Sequence, residues 1–435
     1  MKHLITLLTL SFIISTGSLH AQTKVIYAGT LLAIPGTTPK TEQTIVIENG
    51  TIKEVRDGYL DIAQLGLERT EVTIINLKDK FVMPGFIDMH THITGERDPN
   101  AITHEWTTLE EADAAYKAIP YAERTLMAGF TTVRNLGGNP HIMNALKRAI
   151  GKNIIKGPTI IASNGAVSAT GGHGDFHGYN DAILEMAGQD VSICDGSDDC
   201  RRAVRALVKS GADVIKITAT GGVLSNTAAG VGQQLTNDEM VSIVAAANSL
   251  GRKVAAHAHE AEGVNAALRA GVHSIEHGSY LNDESISLFK ETGAYLVPTL
   301  LAGVSVYEEL SVNPNIPPAI IDKIKQVAPV VEASFKKALK ANINIAFGTD
   351  SGVSIHGTNA REFELMVKYG MDENQAIKTA TINAATLLGK EKTLGTLKTG
   401  MQADIVATKE DPLQDISVLK KIAFVMKLGT VYKNQ

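Results

Sequence analysis

Two histidines, His90 and His92, close the apolar run "PGFIDMHTH". Side chains two apart on a strand share a face, so both imidazoles can point at one spot. Further along, "KVAAHAHE" carries His257 and His259, "SIEHG" carries His277 and "FGTD" carries Asp350. Imidazole and carboxylate are the ligands that zinc prefers. Singly, each has an ordinary structural reading: a strand-end histidine is often hydrogen-bonded scaffold, and Asp350 could cap a following helix. His90, His92, His257, His277 and Asp350 at the ends of four separate apolar runs together outweigh those readings.

The segment "DVIKIT", residues 213–218, adds a lysine inside an apolar strand. Val214, Lys216 and Thr218 share a face, which aims Lys216 towards the histidines. A lone ammonium is costly to bury, and metal cations beside it would repel it. Two readings follow. Either Lys216 pairs with a buried acid, or its amine has captured CO₂ and carries a carboxylate able to bridge two metals.

These residues need a scaffold that brings distant strand ends together. The short strand segments are "GFIDMHTH", "TTVRNLG", "TIIASNG", "DVIKIT", "KVAAHAH", "HSIEHG", "AYLVPTL" and "INIAFGTD". Stretches such as "EADAAYKAIPYAERTLMAG", "DDCRRAVRALVKSGA" and "AEGVNAALRAGV" lie between most of them. Their apolar residues recur at helical spacing, and several end in Gly. Eight strands alternating with helices predict an α/β fold, a (β/α)₈ barrel, whose reactive groups gather at the C-terminal strand ends. An open doubly wound sheet is the competing topology, but no GxGxxG opens the first βα unit. Both ends of the chain read as β structure, with "IENGTIKEV" marking a hairpin-type turn. The expected division is residues 83–389 as the barrel and residues 22–82 plus 390–435 as one composite β-sandwich domain.

Residues 1–21, "MKHLITLLTLSFIISTGSLHA", have the layout of a cleaved secretory signal: a lysine, a short apolar run, then small residues. That predicts an exported protein, periplasmic or secreted, without a membrane span once the signal is removed; an uncleaved anchor is the alternative. The net charge of −5 argues against nucleic acid or an anionic membrane as partner. The two cysteines, Cys194 and Cys200 in "SICDGSDDC", read as a disulfide or two inert thiols, with no catalytic part.

The whole pattern resembles the amidohydrolase superfamily in its two-metal form, on "PGFIDMHTH", the lysine of "DVIKIT", the histidines after the fifth and sixth strands, and "GTD". "TTVRNLGG", "ATGGHGD", "KITATGGVLS", "SIEHGSYL" and "FGTDSG" are similar to the imidazolonepropionase-like branch. That branch includes dipeptidases acting on Xaa-Pro or Xaa-Arg/Lys and ochratoxin-hydrolysing amidases.

The resemblance implies that His90, His92 and Asp350 hold one divalent metal, with zinc the expected ion, and that His257 and His277 hold a second. N6-carboxylysine at Lys216 would bridge them. A shared water of lowered pKa would then attack the carbonyl as hydroxide, with Asp350 as general base. The implied reaction is hydrolysis of a carbon–nitrogen amide bond in a dipeptide or N-acyl amino acid. One-metal imidazolonepropionases need no such lysine, so a cyclic amidase is the alternative, with a lactone or phosphotriester hydrolase and a non-catalytic binding barrel behind it.

Substrate contacts are expected from His173 in "TGGHGDFHG", from His259, from Tyr280 and from Ser225 in the long polar segment "GGVLSNTAAGVGQQLT"; His356 is a weaker candidate. His104, His141 and His273 are assigned to scaffold or surface. A homo-oligomer is compatible with the sequence.

Overall fold

The computed structural model describes residues 23–69, 72–98, 108–187, 190–225 and 230–435. The signal-like segment 1–21 and His104 lie outside them.

Both chain ends contribute to one seven-stranded sheet. Its strands are β1 (Thr23–Leu31), β2 (Lys40–Glu48), β3 (Thr51–Asp57) and β4 (Val72–Pro84) from the first end. After the eight strands of the next paragraph, β13 (Ile405–Thr408), β14 (Phe424–Lys427) and β15 (Thr430–Asn434) come from the other. The order is β15-β14-β13-β4-β1-β2-β3, so β4 joins the two ends by pairing with β13 and β1. The "ENG" turn links β2 to β3 with Asn49 and Gly50 both at positive φ, 52° and 75°, the backbone a type I′ hairpin requires. Ile26, Ile45, Ile52, Leu77, Ile405 and Phe424 form this sheet's own core.

The expected eight strands are all present: β5 (Phe86–Thr91), β6 (Phe130–Asn135), β7 (Thr159–Ala162), β8 (Val214–Thr218), β9 (Lys253–Ala258), β10 (Ser274–His277), β11 (Tyr295–Val297) and β12 (Asn344–Ile345). They run parallel in two arcs, β5-β6-β7 and β8 to β12. Backbone bonds close both seams into a (β/α)₈ barrel. At one, Val167 N–H donates to Lys216 O (2.8 Å) and Asp213 N–H to Ala162 O (2.7 Å). At the other, Met89 N–H donates to Phe347 O (2.9 Å) and Asp350 N–H to His90 O (2.8 Å).

The predicted helices form at Glu111–Met127, Ser197–Lys209 and Ala261–Ala270, the last stopped by Gly271 at φ 90°. Glycine takes that left-handed conformation without a Cβ clash. One feature exceeds the simple barrel. Between β11 and β12 lie the helices Leu300–Glu309 and Pro318–Lys340, and both send apolar side chains to the barrel mouth. Cys194 and Cys200 are buried and joined as a disulfide at the start of the helix Ser197–Lys209.

Candidate metal centre

His90 and His92 reach the mouth from the end of β5, and the turn after β12 brings Asp350 beside them. Asp350 Oδ1 lies 3.4 Å from His90 Nε2 and 3.0 Å from His92 Nε2. That oxygen is buried and makes no hydrogen bond of good geometry to a described residue. Asp350 also has φ 58° and His277 φ 72°, a conformation uncommon outside glycine and typical of sites the surroundings over-determine. Donor atoms of His90, His277 and Asp350 lie within 4.8 Å of one another, as do those of His257, His259 and His277. His277 belongs to both groups. Donors converging in this way could hold a metal ion.

Four of the imidazoles, those of His90, His257, His259 and His277, are oriented by a partner on one ring nitrogen, the arrangement that fixes a metal-ligating histidine. His90 Nδ1–H faces Glu276 Oε2 at 3.0 Å. Because a carbonyl oxygen only accepts, His257 Nε2–H donates to Gly221 O, 3.2 Å away, and leaves Nδ1 for a ligand. His277 Nδ1 meets Thr299 Oγ1 (2.7 Å) and His259 Nδ1 meets Ser279 Oγ (2.8 Å). Burial, then the charge of Lys216, lowers His90 to about 4. Burial lowers His259 to about 4 as well, and burial with neighbouring imidazoles takes His257 and His277 well below the usual range. All are therefore neutral, the form that binds metal.

Glu276 is 0% exposed and Arg134 2%. Arg134 Nη2 donates to Glu276 Oε1 (2.7 Å), and Ser274 Oγ donates to the same oxygen (2.5 Å). Arg134 Nε also donates to Met89 O (2.6 Å). Burial alone would raise Glu276, but Arg134 and then His90 bring it down to about 2. A charged chain thus runs from β6 through β10 to His90 on β5. Beneath it, Asp88 accepts from Thr349 Oγ1 (2.6 Å) and Asn359 Nδ2 (2.8 Å), tying β5 to the chain after β12. Arg134, Glu276 and Asp88 were not singled out from the sequence. Their signal was the one that exposed Lys216, a charge inside an apolar strand.

Lys216 is 4% exposed and its ammonium makes no ion pair or hydrogen bond among the described residues. Asp213, the acid in the same segment, is engaged by Lys147 and by Ala162 N–H. The reading that a buried acid pairs with Lys216 therefore finds no partner at contact distance. Burial lowers Lys216 to about 8, against the pull of Glu276 and Asp350.

A cavity of about 860 Å³ opens over this cluster, with His90, His92, Lys216, His257, His277 and Asp350 in its wall. His173 and His259 line it too. The His173 ring lies 4.3 Å from that of His257, and burial, then His259, lowers it to about 3. Ser225 does not line the cavity but hydrogen-bonds His173 Nδ1. Tyr280 is outside the wall, and its hydroxyl donates to Gln326 O at 3.0 Å. Gly278, at φ 58°, turns the chain after His277 and sends Tyr280 towards the long helix instead. His356 is also outside, stacked on Tyr121 with Nε2 donating to Gly95 O (2.8 Å). His273 accepts from Val254 N–H and His141 sits exposed at a helix start, both as scaffold or surface.

Residues 81–432 match the amidohydrolase family. An ochratoxinase of Aspergillus niger is 33% identical, over 95% of this chain and 87% of the relative. Among solved structures, a Xaa-Pro dipeptidase with methionine bound in its active site superposes with a TM-score of 0.88 at 37% identity, covering 95% of this chain and 100% of that one. A prolidase complexed with N-methylphosphonate-L-proline gives 0.85 at 30% identity, over 95% and 100% of the two chains.

Proposed function

From the premise that this chain belongs to the amidohydrolase family and is a hydrolase of carbon–nitrogen bonds, we propose that it is an exported two-metal dipeptidase. Its substrates are dipeptides, Xaa-Pro or Xaa-Arg/Lys, or N-acyl amino acids. His90, His92 and Asp350 would hold one divalent ion, zinc by ligand type, and His257 and His277 the other. Lys216, as N6-carboxylysine, would serve both. The observation that carries this reading is the pair of donor groups sharing His277, with a lysine in the same cavity wall that has no partner among the described residues.

Metals held by these residues would supply a water of lowered pKa and Lewis-acid polarisation of the scissile carbonyl. The chain's own residues account for the rest. Burial opposes ionisation of Asp350, but His90, His92 and His277 hold it well below the usual carboxylate range. An ionised carboxylate at the mouth can accept the proton of the attacking water and return it to the leaving amine. His173 and His259, neutral and facing the cavity, can hydrogen-bond the substrate's carboxylate or oxyanion. Val223, Leu224, Val306, Ile324, Val327 and Val331 form an apolar wall that excludes water and suits an apolar side chain.

Support for a dipeptide-type substrate comes from the dipeptidase, prolidase and ochratoxinase likenesses. Support for export comes from the signal-like segment 1–21 and from the disulfide, which persists in oxidising compartments. The test is kcat/KM across a panel of dipeptides, N-acyl amino acids, lactones and phosphotriesters with metal-loaded protein. The reading requires the amides to be the fastest substrates; faster lactone or phosphotriester turnover overturns it.

A further inference from the structure

We propose that Lys323, on the long helix between β11 and β12, is a positioning residue that sets the place of His173. The inference rests on the reading of His173 as a substrate-binding group. Lys323 is 5% exposed. Its ammonium donates to Gly222 O (2.9 Å) and Ser225 O (2.5 Å), both in the segment after β8.

Those two residues are the ones that hold the His173 ring. Ser225 Oγ hydrogen-bonds Nδ1 of the imidazole. Gly222 packs under the ring so closely that an added Cβ would lie 2.1 Å from Cε1 of His173. Only glycine permits that approach. The His173 backbone N–H is fixed separately by Gln234 Oε1 at 2.8 Å. With Nδ1 occupied by Ser225, Nε2 is the nitrogen left to meet a ligand.

Lys323 therefore clamps both supports of one imidazole with one charge. Its ammonium donates to carbonyls, and charge-assisted bonds of this kind are the strong ones. The neighbouring Ile324 and Val327 line the cavity from the same helix, so the clamp also sets the apolar wall against His173. Losing the clamp would free Gly222 and Ser225 to shift and displace the ring from its seat. A displacement on the scale of an ångström is enough to weaken a directed contact strongly.

The experiment is a mutant cycle read as kcat and KM on the best amide substrate, with metal content and Tm measured for every variant. H173A and K323M should each raise KM by about tenfold or more with metal content unchanged. Because Lys323 is held to act through His173, adding K323M to H173A should change KM by less than about twofold. The inference is overturned if the two effects multiply, or if K323M leaves KM at the wild-type value while H173A raises it. An H173A protein with wild-type kinetics removes the reading of His173 itself, and the inference with it. Should K323M fail to fold, S225A tests the link through which the clamp must act, since it keeps the bond from Lys323 to the Ser225 carbonyl and deletes the bond to the imidazole. S225A must then raise KM alone and add nothing to H173A, and any other pattern refutes the proposal.

Discussion

Replacing Arg134 by methionine strands the Glu276 carboxylate inside the barrel. Arg134 supplies a 2.7 Å bond to Glu276, a 3.0 Å bond to Ser274 Oγ and a 2.6 Å bond to Met89 O, and neither charged side chain meets solvent. Removing one partner of such a buried pair costs about 3–5 kcal/mol, because the other charge stays behind uncompensated. Replacing both, as in R134M/E276L, removes that penalty and should return stability to within about 1 kcal/mol of wild type. It does not return the bond from His90 Nδ1 to Glu276. Loss of such an orienting partner lowers metal affinity by about 10–100-fold. The assays are denaturant unfolding of the metal-free protein and metal titration against a competing chelator. The expected pattern separates the two: R134M is unstable, while the double variant is stable and binds metal weakly. A double variant with wild-type metal affinity would refute the claim that Glu276 orients His90, and R134M at wild-type stability would refute the ledger for the pair.

Three further outcomes are expected. K216A should lose metal and turnover together and recover part of both in a short carboxylate such as propionate; full activity without rescue would remove the bridging role of Lys216. Metal-free protein should lose stability as pH falls from about 6.5 to about 4. The folded pKa values of His90 and His259 are lowered to about 4 and that of His173 to about 3, with His257 and His277 lowered as well. The unfolded chain thus takes up protons first, and stability present above the unfolded pKa is lost on acidification. Asp88 and Glu362, raised by burial to about 6 and about 8, act in the opposite sense but are outnumbered. A denaturation midpoint that is flat or higher at pH 5 than at pH 7 would contradict this. C194S/C200S opens a loop of sequence separation 6, at a cost of about 2 kcal/mol, with kcat unchanged; a loss of kcat would give the disulfide a place in the site.

The barrel was legible because its strands are short apolar, β-branched runs separated by segments of helical periodicity, several of them stopped by glycine. The candidate metal ligands were legible because polar residues interrupt those runs, the histidines and Asp350 towards their C-terminal ends and Lys216 inside one. What joins them was not. Glu276 stands 186 residues from His90 and 142 from Arg134, and no local pattern pairs residues across a barrel interior. β12 is only two residues long because "AFGTD" is held by backbone bonds to β5 rather than by a regular ladder. Tyr280 was misplaced because a spacing of three from His277 ignores the turn at Gly278. Lys323 gave no sign at all: its acceptors are backbone carbonyls, and a lysine on a helix ordinarily faces water.

The central claim is a two-metal site built from His90, His92, Lys216, His257, His277 and Asp350. Elemental analysis of the purified protein tests it most directly. Close to two divalent metal ions per chain are expected, falling sharply in K216A; one ion or none in active protein would contradict a two-metal site.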